Sequence, residues 1–240
     1  MVGYLPEHRL RVVVNRQVWR SLTFLHYPVP AAQVRPLLPA GLEPDIFDGS
    51  AWISITPFSM DFFGAPGVRV PLASKFVEVN VRTYVRGPDQ RDGIWFFSLE
   101  CSRLQVTAAL RLLGLPYQRS RTGMAMPAPG TGPGRGGLVR YRSRRLDGGG
   151  HFAAEVEVGE WFDPGPLENF LTGRWNAYSH AWGQLWRTPI VHEPWPLRRA
   201  QFRGEVAELV RANSLPLPGQ DLLVHFSPGV DVGIGVPRPA

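Results

Sequence analysis

The chain has 240 residues, of which 44% are hydrophobic and 19% are charged, and this excludes a wholly disordered protein. We expect one globular domain over residues 1–240, because a chain of this length can bury a large core. A single cysteine excludes a disulfide framework, and no apolar stretch is long enough for a signal peptide or a membrane span. We therefore expect a cytoplasmic protein without a membrane partner.

The net charge of +6 comes from 26 basic and 20 acidic residues, and Lys75 is the only lysine. The densest basic cluster consists of Arg135, Arg140, Arg142, Arg144 and Arg145. In a strand, Arg140, Arg142 and Arg144 share one face, which is typical of a solvated surface. No nucleic-acid-binding motif accompanies the charge, so we expect no nucleic-acid partner.

Three short helices are predicted in chain order. The first covers residues 30–38 between two prolines, and the second covers residues 102–113 with Gly114 as its C-terminal cap. The third covers residues 166–174, with Asp163 as its N-terminal cap. A hairpin is predicted to turn at residues 181–184, between two aromatic and β-branched segments.

Period-two alternation predicts most of the remaining structure to be strands. It is clearest in residues 51–56, 77–85, 94–101 and 152–158. Frequent glycine and proline divide the chain into short segments, which favours a β-rich fold. The stretch Pro127–Gly137 is the strongest low-complexity segment, and we expect a flexible loop there rather than a phosphate-binding turn. The fold class predicted from the residues is mainly β with a few short helices.

Common catalytic and metal-binding motifs are missing from the sequence. The six histidines are scattered, so no metal site is predicted. Cys101 lies on the apolar side of its strand, which predicts a buried and unreactive thiol. There is no G-x-S-x-G element, and no cofactor is predicted.

Several segments resemble a known family. They are W-R-S-L-T-F-L-H-Y-P-V-P from Trp19, E-V-N-V-R-T-Y-V from Glu78, G-I-W-F-F-S-L-E from Gly93, H-E-P-W-P-L from His192 and H-F-S-P-G-V-D-V from His225. As a set they resemble the YqjF-like family of uncharacterised bacterial proteins. That family is similar in fold to acetoacetate decarboxylases, which implies an antiparallel β-barrel-like core with a central pocket.

The acetoacetate decarboxylase-like superfamily uses a Schiff base formed by one of two adjacent lysines in a Gly-x-Pro-Lys-Lys motif. The corresponding stretch here is Gly114-Leu115-Pro116-Tyr117-Gln118, in which both lysines are replaced. A phenol or an amide cannot form an imine, so the resemblance does not extend to that step. Lys75 is a weak substitute, since a lysine at a strand end ordinarily reaches out to water.

One strand carries Glu78, Asn80, Arg82 and Tyr84 on the same face, and that face lies either in solvent or in the lumen. In the lumen, Arg82 would bind a carboxylate or enolate and Glu78 would act as a general base. The resemblance places Tyr117 beside them as a hydrogen-bond or proton donor. The predicted catalytic residues are thus Glu78, Arg82 and Tyr117, and the predicted substrate-binding residues are His26, Asn80, Tyr84, Arg174, Tyr178 and His192.

Two functions fit these residues. The first is a lyase, dehydratase, isomerase or cyclase that acts on a carbonyl or polyketide-like acid without an imine. The second is a non-catalytic barrel that binds a small apolar carboxylic acid. Paired titratable groups on the pocket floor would favour the enzyme, whereas a single anchoring arginine among apolar walls would favour the binding protein. In both cases the partner is a small-molecule ligand, and the sequence leaves a homo-oligomer open.

Overall fold

The structure is a computed structural model that describes residues 5–6, 8–65, 75–126, 137–219 and 222–240. Within these ranges the strands are β1 (Asn15–Val29), β2 (Glu43–Pro44), β3 (Ala51–Gly64), β4 (Phe76–Arg86), β5 (Asp92–Cys101), β6 (Tyr117–Ala125), β7 (Leu138–Arg145), β8 (His151–Trp161), β9 (Asn176–Ala181), β10 (Gln184–His192), β11 (Arg198–Glu205), β12 (Leu223–Ile234) and β13 (Arg238–Pro239). The helices are α1 (Ala31–Val34), followed by one 3-10 turn (Arg35–Leu37), then α2 (Leu104–Leu112), α3 (Pro166–Thr172) and α4 (Ala207–Arg211). The predicted fold class, mainly β with a few short helices, is confirmed.

The strands close two rings that share one wall. Strand β12 pairs with both β10 and β11, and β5 pairs with β4, β6 and β9. One ring therefore has seven strands, in the order β12-β1-β3-β4-β5-β9-β10. The other has nine strands, in the order β12-β1-β3-β4-β5-β6-β7-β8-β11. The five strands β12, β1, β3, β4 and β5 belong to both rings.

The sheet is antiparallel as predicted except at two pairings. Strand β5 runs parallel to β6 and to β9, whereas the other pairings are antiparallel. A parallel neighbour needs a crossover connection, and α2 provides it between β5 and β6. This crossover places Tyr117, the first residue of β6, beside Leu99 of β5.

Both faces of the shared wall are buried. On β4, Val79 and Val81 pack into one apolar core together with Leu25 of β1. On the other face of β1, Phe24 packs into a second core with Tyr84 of β4. The predicted alternation is therefore present, but neither face of β4 is exposed to solvent.

The short helices and the hairpin lie close to their predicted positions. The β9–β10 hairpin turns at Trp182 and Gly183, which have φ values of 53° and 73°, as a tight two-residue turn requires. Gly114 follows α2 with a φ of 76°. The predicted cap of α3 is wrong, because the cap is Gly165, whose N–H donates a 2.9 Å hydrogen bond to Glu168. Asp163 lies two residues too early for that position.

The arginine-rich strand β7 behaves as predicted, with Arg142 and Arg144 exposed. Arg145 is buried, and it forms a 2.8 Å ion pair with Glu100. The predicted loop Pro127–Gly137 lies outside the described residues except for Gly137. No helix in the described part of the chain is long and apolar enough to cross a membrane.

Candidate functional site

A cavity of about 560 Å³ lies within the seven-stranded ring, next to α2. Its walls are mainly apolar, because large hydrophobic residues of the strands, of α2 and the loop after it, and of the β9–β10 turn line it. They are Trp19, Phe63, Phe96, Leu99, Leu110, Leu113, Leu115, Trp182, Trp186, Ile190 and Ile234. Such a cavity has the size and character of a small-molecule site.

Both charged residues that line the cavity, Glu78 and Arg82, lie on β4, whereas other polar side chains come from β1, β9 and β10. Glu78, Asn80 and Arg82 alternate along β4, so all three point to the same side, and Tyr117 joins them from β6. Together with Tyr178 of β9, five of the nine residues predicted for the site therefore line the cavity. The face of β4 that the sequence left undecided lines the cavity.

Glu78 and Tyr117 form a buried hydrogen-bonded pair. The Tyr117 hydroxyl donates to Glu78 Oε2 over 2.8 Å, and the two residues are only 5% and 3% exposed. Burial raises the pKa of Glu78 from its ordinary value near 4.5 to about 7, although hydrogen bonds from Tyr117 and Asn80 partly oppose this. Burial and the Glu78 carboxylate raise the pKa of Tyr117 well above its ordinary value. At neutral pH the phenol is thus protonated, while both forms of Glu78 are populated.

Asn80 has a fixed orientation beside Glu78. The Thr56 hydroxyl donates a hydrogen bond to Asn80 Oδ1, which leaves the amide nitrogen to hydrogen bond with Glu78. Glu78 therefore accepts hydrogen bonds from two neutral groups, and no basic side chain in the described part of the chain forms an ion pair with it. This arrangement keeps a carboxyl group in place without fixing its charge.

Arg82 is a buried cation without a counterion. It is 6% exposed, its Nε has no hydrogen-bond partner, and no carboxylate within the described ranges forms an ion pair with it. Its Cζ atom lies 5.5 Å from the ring centre of Phe24 and 6.0 Å from that of Tyr84. Burial lowers the pKa of Arg82, and contacts with Tyr84 partly offset that effect. An uncompensated guanidinium in an apolar cavity favours binding of an anion.

Arg174 shows how the fold compensates a buried arginine elsewhere. Its guanidinium lies 2.6 Å from Asp45 Oδ2 and 3.1 Å from Asp92 Oδ2, and it donates a 2.7 Å bond to the Phe170 carbonyl. It also lies over the ring of Tyr84, at 4.9 Å. Arg174 was predicted to bind substrate, but it is not among the residues that line the cavity. Its charge is neutralised by the protein itself.

Three other predicted binding residues lie behind the cavity wall. Tyr84 and His26 share the Ser54 hydroxyl, with 2.5 Å from that oxygen to each. His192 lies against Trp175, with ring centres 4.6 Å apart. Burial lowers the pKa of His26 well below its ordinary value and that of His192 to about 4, so both are neutral at pH 7. None of the three lines the cavity.

Tyr178 contributes to the wall, but its hydroxyl points elsewhere. The strand places Tyr178 opposite Arg187, and the phenol donates a 3.0 Å hydrogen bond to the Arg91 carbonyl. The hydroxyl of Tyr178 is therefore hydrogen-bonded to the protein's own backbone, while the residue lines the cavity. Tyr178 packs with Leu42, Val85 and Leu185 in a small separate core.

Most of the cavity wall was not predicted from the sequence. Gln17 and the apolar Trp19 come from the start of β1, and Trp182 and Trp186 come from the β9–β10 hairpin. Trp182 is 75% exposed, although it lines the cavity. A large aromatic side chain at the tip of a turn is the signal that would have identified this rim.

No imine can form on a side-chain amine inside this cavity. Lys75 is the chain's only lysine, its side chain is 75% exposed, and its Nζ lies 3.9 Å from Asp61 Oδ2. Cys101 is buried, and burial raises the pKa of its thiol to about 12, so it is not a nucleophile at neutral pH. Among the described residues, no three His, Cys, Asp or Glu side chains are grouped as metal ligands.

Solved structures with similar folds include an acetoacetate decarboxylase and an acetoacetate decarboxylase-like enzyme. An acetoacetate decarboxylase-like enzyme from Sphingomonas wittichii RW1 superimposes with a TM-score of 0.68 at 16% identity, over 99% of this chain and 97% of that one. The enduracididine biosynthesis enzyme MppR, complexed with pyruvate, gives 0.67 at 14% identity over 97% and 93%. Acetoacetate decarboxylase from Legionella pneumophila gives 0.65 at 13% identity over 97% and 89%. At these identities the likeness shows a common fold.

The chain belongs to the DUF2071 family of uncharacterized conserved proteins, whose profile matches residues 16–231. A relative in Bacillus subtilis (strain 168), the uncharacterized protein YqjF, is 32% identical over 225 residues, which is 91% of this chain and 89% of that protein. The resemblance found in the sequence is therefore confirmed.

Proposed function

We propose that this protein is an enzyme that moves a proton to or from carbon in a largely apolar oxo acid, without an imine intermediate. The observation that carries the proposal is the buried Glu78–Tyr117 pair in the same cavity as the unpaired Arg82. A carboxyl group with a pKa of about 7 can both accept and return a proton at neutral pH. The arginine supplies the charge that would hold an acidic substrate.

In the proposed step, the Glu78 carboxylate removes a proton from the carbon next to a carbonyl. The electron pair of the broken C–H bond moves onto the carbonyl oxygen, and an enolate forms. The proton, now on Glu78, returns to the same carbon or to a conjugated one, which gives exchange or isomerisation. Tyr117 holds Glu78 through Oε2, and the proton would be taken up at Oε1.

The spacing of the two charged groups limits the substrate. Glu78 and Arg82 are four residues apart on β4, which separates their backbones by roughly 13 Å. An anion on Arg82 and a reacting carbon at Glu78 must then be distant parts of one elongated molecule. The apolar wall would contact the hydrocarbon between them.

A non-catalytic binding protein is the alternative function, and the mainly apolar wall favours it. A binding protein needs Arg82 and the wall but gives no role to a carboxyl group that titrates near neutrality. The two functions therefore differ in the role of Glu78. The enzyme needs it for proton transfer, whereas in a binding protein it affects only stability.

Solvent deuterium exchange tests the proposal without knowledge of the natural product. Apolar oxo acids with the carbonyl several bonds from the carboxylate are incubated in D₂O, and exchange beside the carbonyl is followed by NMR. We expect exchange with the unchanged protein and a loss of about a hundredfold or more in Glu78→Gln. Lys75→Met is the matched control, and it should exchange at the original rate.

Two results would contradict the proposal. Tight binding of these acids with no exchange would leave only the binding function. Exchange that depends on Lys75, with a borohydride-stable adduct at that residue, would establish an imine route instead.

A further inference from the structure

A second hollow, of about 390 Å³, lies on the other face of β10 from the cavity. Arg187 and Pro189 of β10 line it, whereas the alternating residues Trp186, Thr188 and Ile190 line the cavity. Because successive residues of a strand point to opposite faces, the hollow lies outside the seven-stranded ring. It is separate from the site described above.

Five arginines from different parts of the chain line this hollow. They come from the segment before β1, from the β4–β5 turn, from β10 and from β13, and are Arg9, Arg11, Arg91, Arg187 and Arg238. Apolar residues, among them Leu10, Val12 and Val236, complete the lining. Arginines that are distant in sequence meet here in one concave surface.

Acidic residues compensate only part of this charge. Asp89 lies 3.3 Å from Arg91 and 3.4 Å from Arg187. Arg9, Arg11 and Arg238 form no ion pair with any described residue. Arg20, by contrast, is partly exposed and has an acidic partner, Asp231, at 2.6 Å. The hollow thus holds an excess of positive charge.

Two of these arginines occupy an unfavourable position in the sheet. Arg187 and Arg238 are directly opposite each other on β10 and β13. Like charges at directly opposed positions destabilise a strand pair, and a bound anion between them would reverse that effect. An arginine fork also matches the oxygens of a phosphate group better than other side chains do.

We propose that this hollow binds a compact polyanion bearing phosphate groups. Its volume suits a diphosphate rather than an extended polymer, and the converging forks would contact several phosphate oxygens at once. The site does not depend on the reaction proposed for the cavity, because none of the five arginines that line the hollow also lines the cavity.

Calorimetric titration with inorganic pyrophosphate tests the site on the full chain at low ionic strength. We expect saturable binding that weakens with salt, together with a raised melting temperature. The triple variant Arg9→Gln/Arg11→Gln/Arg238→Gln should bind at least about tenfold more weakly. These side chains are exposed, so the variant should fold, and circular dichroism checks this.

A matched control removes the same charge from another face. Arg121 and Arg144 are also directly opposite each other, on the exposed face of β6 and β7, and Arg142 is their neighbour on β7. Arg121→Gln/Arg142→Gln/Arg144→Gln should bind pyrophosphate as the unchanged chain does. Equal weakening in both triple variants would overturn the site, as would no binding at millimolar pyrophosphate. Tighter binding of duplex DNA than of pyrophosphate would also overturn it.

Discussion

Tyr117 and Glu78 are joined by a 2.8 Å hydrogen bond although their strands are not neighbours. Strand β5 lies between β4 and β6, with Cys101 beside Glu78 and Leu99 beside Tyr117. The hydrogen bond therefore reaches across β5, and it depends on where the crossover through α2 places β6. The buried Glu78–Tyr117 pair is thus tied to the helical connection between β5 and β6.

The pH dependence of stability should report the buried state of Glu78. The pKa of Glu78 is about 7 in the folded chain, which is higher than in the unfolded chain. Its contribution to the free energy of unfolding is therefore fully present below about pH 4.5 and is lost as the pH rises through 7. Each pKa unit corresponds to about 1.4 kcal/mol, so the unchanged chain should lose about 3 kcal/mol relative to Glu78→Gln over that window. Urea unfolding of both proteins at pH 4.5, 6 and 8 measures the difference. The buried histidines have the opposite slope, but they are common to both proteins and cancel.

Replacing the two buried arginines should have opposite effects on stability. Arg82→Met removes a cation without a counterion and should raise the free energy of unfolding by about 1 to 3 kcal/mol. Arg174→Met leaves Asp45 and Asp92 without their partner and should lower it by about 3 to 5 kcal/mol. Chemical denaturation distinguishes the two. A loss of stability in Arg82→Met would mean that the cation is compensated.

Arg82→Met should also abolish the preference for acids. We expect the unchanged chain to bind 4-phenylbutanoate at least about tenfold more tightly than its primary amide, because only the acid pairs with a guanidinium. In Arg82→Met the two ligands should bind alike, as calorimetry can measure. A preference that survives the substitution would assign the anion to another group.

Tyr117→Phe should shift the titration of Glu78 upward. The phenol hydrogen bond stabilises the carboxylate, so its loss raises the pKa of Glu78 above about 7. The midpoint of the pH profile for deuterium exchange should move to higher pH, and the ¹³C shift of the Glu78 carboxyl should move with it. Tyr178→Phe is the control, since that hydroxyl bonds to the Arg91 carbonyl and should leave the midpoint unchanged.

Two glycines with similar backbone angles should differ in their tolerance of alanine. A Cβ at Gly114 would lie 2.3 Å from the His180 carbonyl oxygen, whereas a Cβ at Gly183 meets nothing within 4 Å. Gly183→Ala should cost about 1 kcal/mol, from its positive φ alone. Gly114→Ala should cost about 3 kcal/mol and also reduce exchange, because it displaces the start of β6. An equal loss of unfolding free energy in the two variants would mean that the α2–β6 connection shifts easily to accommodate the new Cβ.

The alternation along β4 predicts which residues share a face, and the structure agrees. It cannot predict that both faces are buried, because that depends on two rings that close through strands far apart in sequence. Arg174 illustrates the same limit. Its aromatic neighbours favoured a binding role, but Asp45 and Asp92 reach it from positions 129 and 82 residues away. Local patterns identify buried charges, whereas their compensation is a tertiary property.

The shared wall also determines where this protein can be redesigned. On β12, β1, β3, β4 and β5, a substitution that enlarges one interior changes the packing of the other, so such positions tolerate little variation. Strands β9 and β10 belong to the seven-stranded ring alone, and their hairpin tip is exposed. New ligand preferences are therefore best sought at Trp182, Trp186 and Thr188. A substitution there changes the shape of the cavity without altering the packing of the nine-stranded ring.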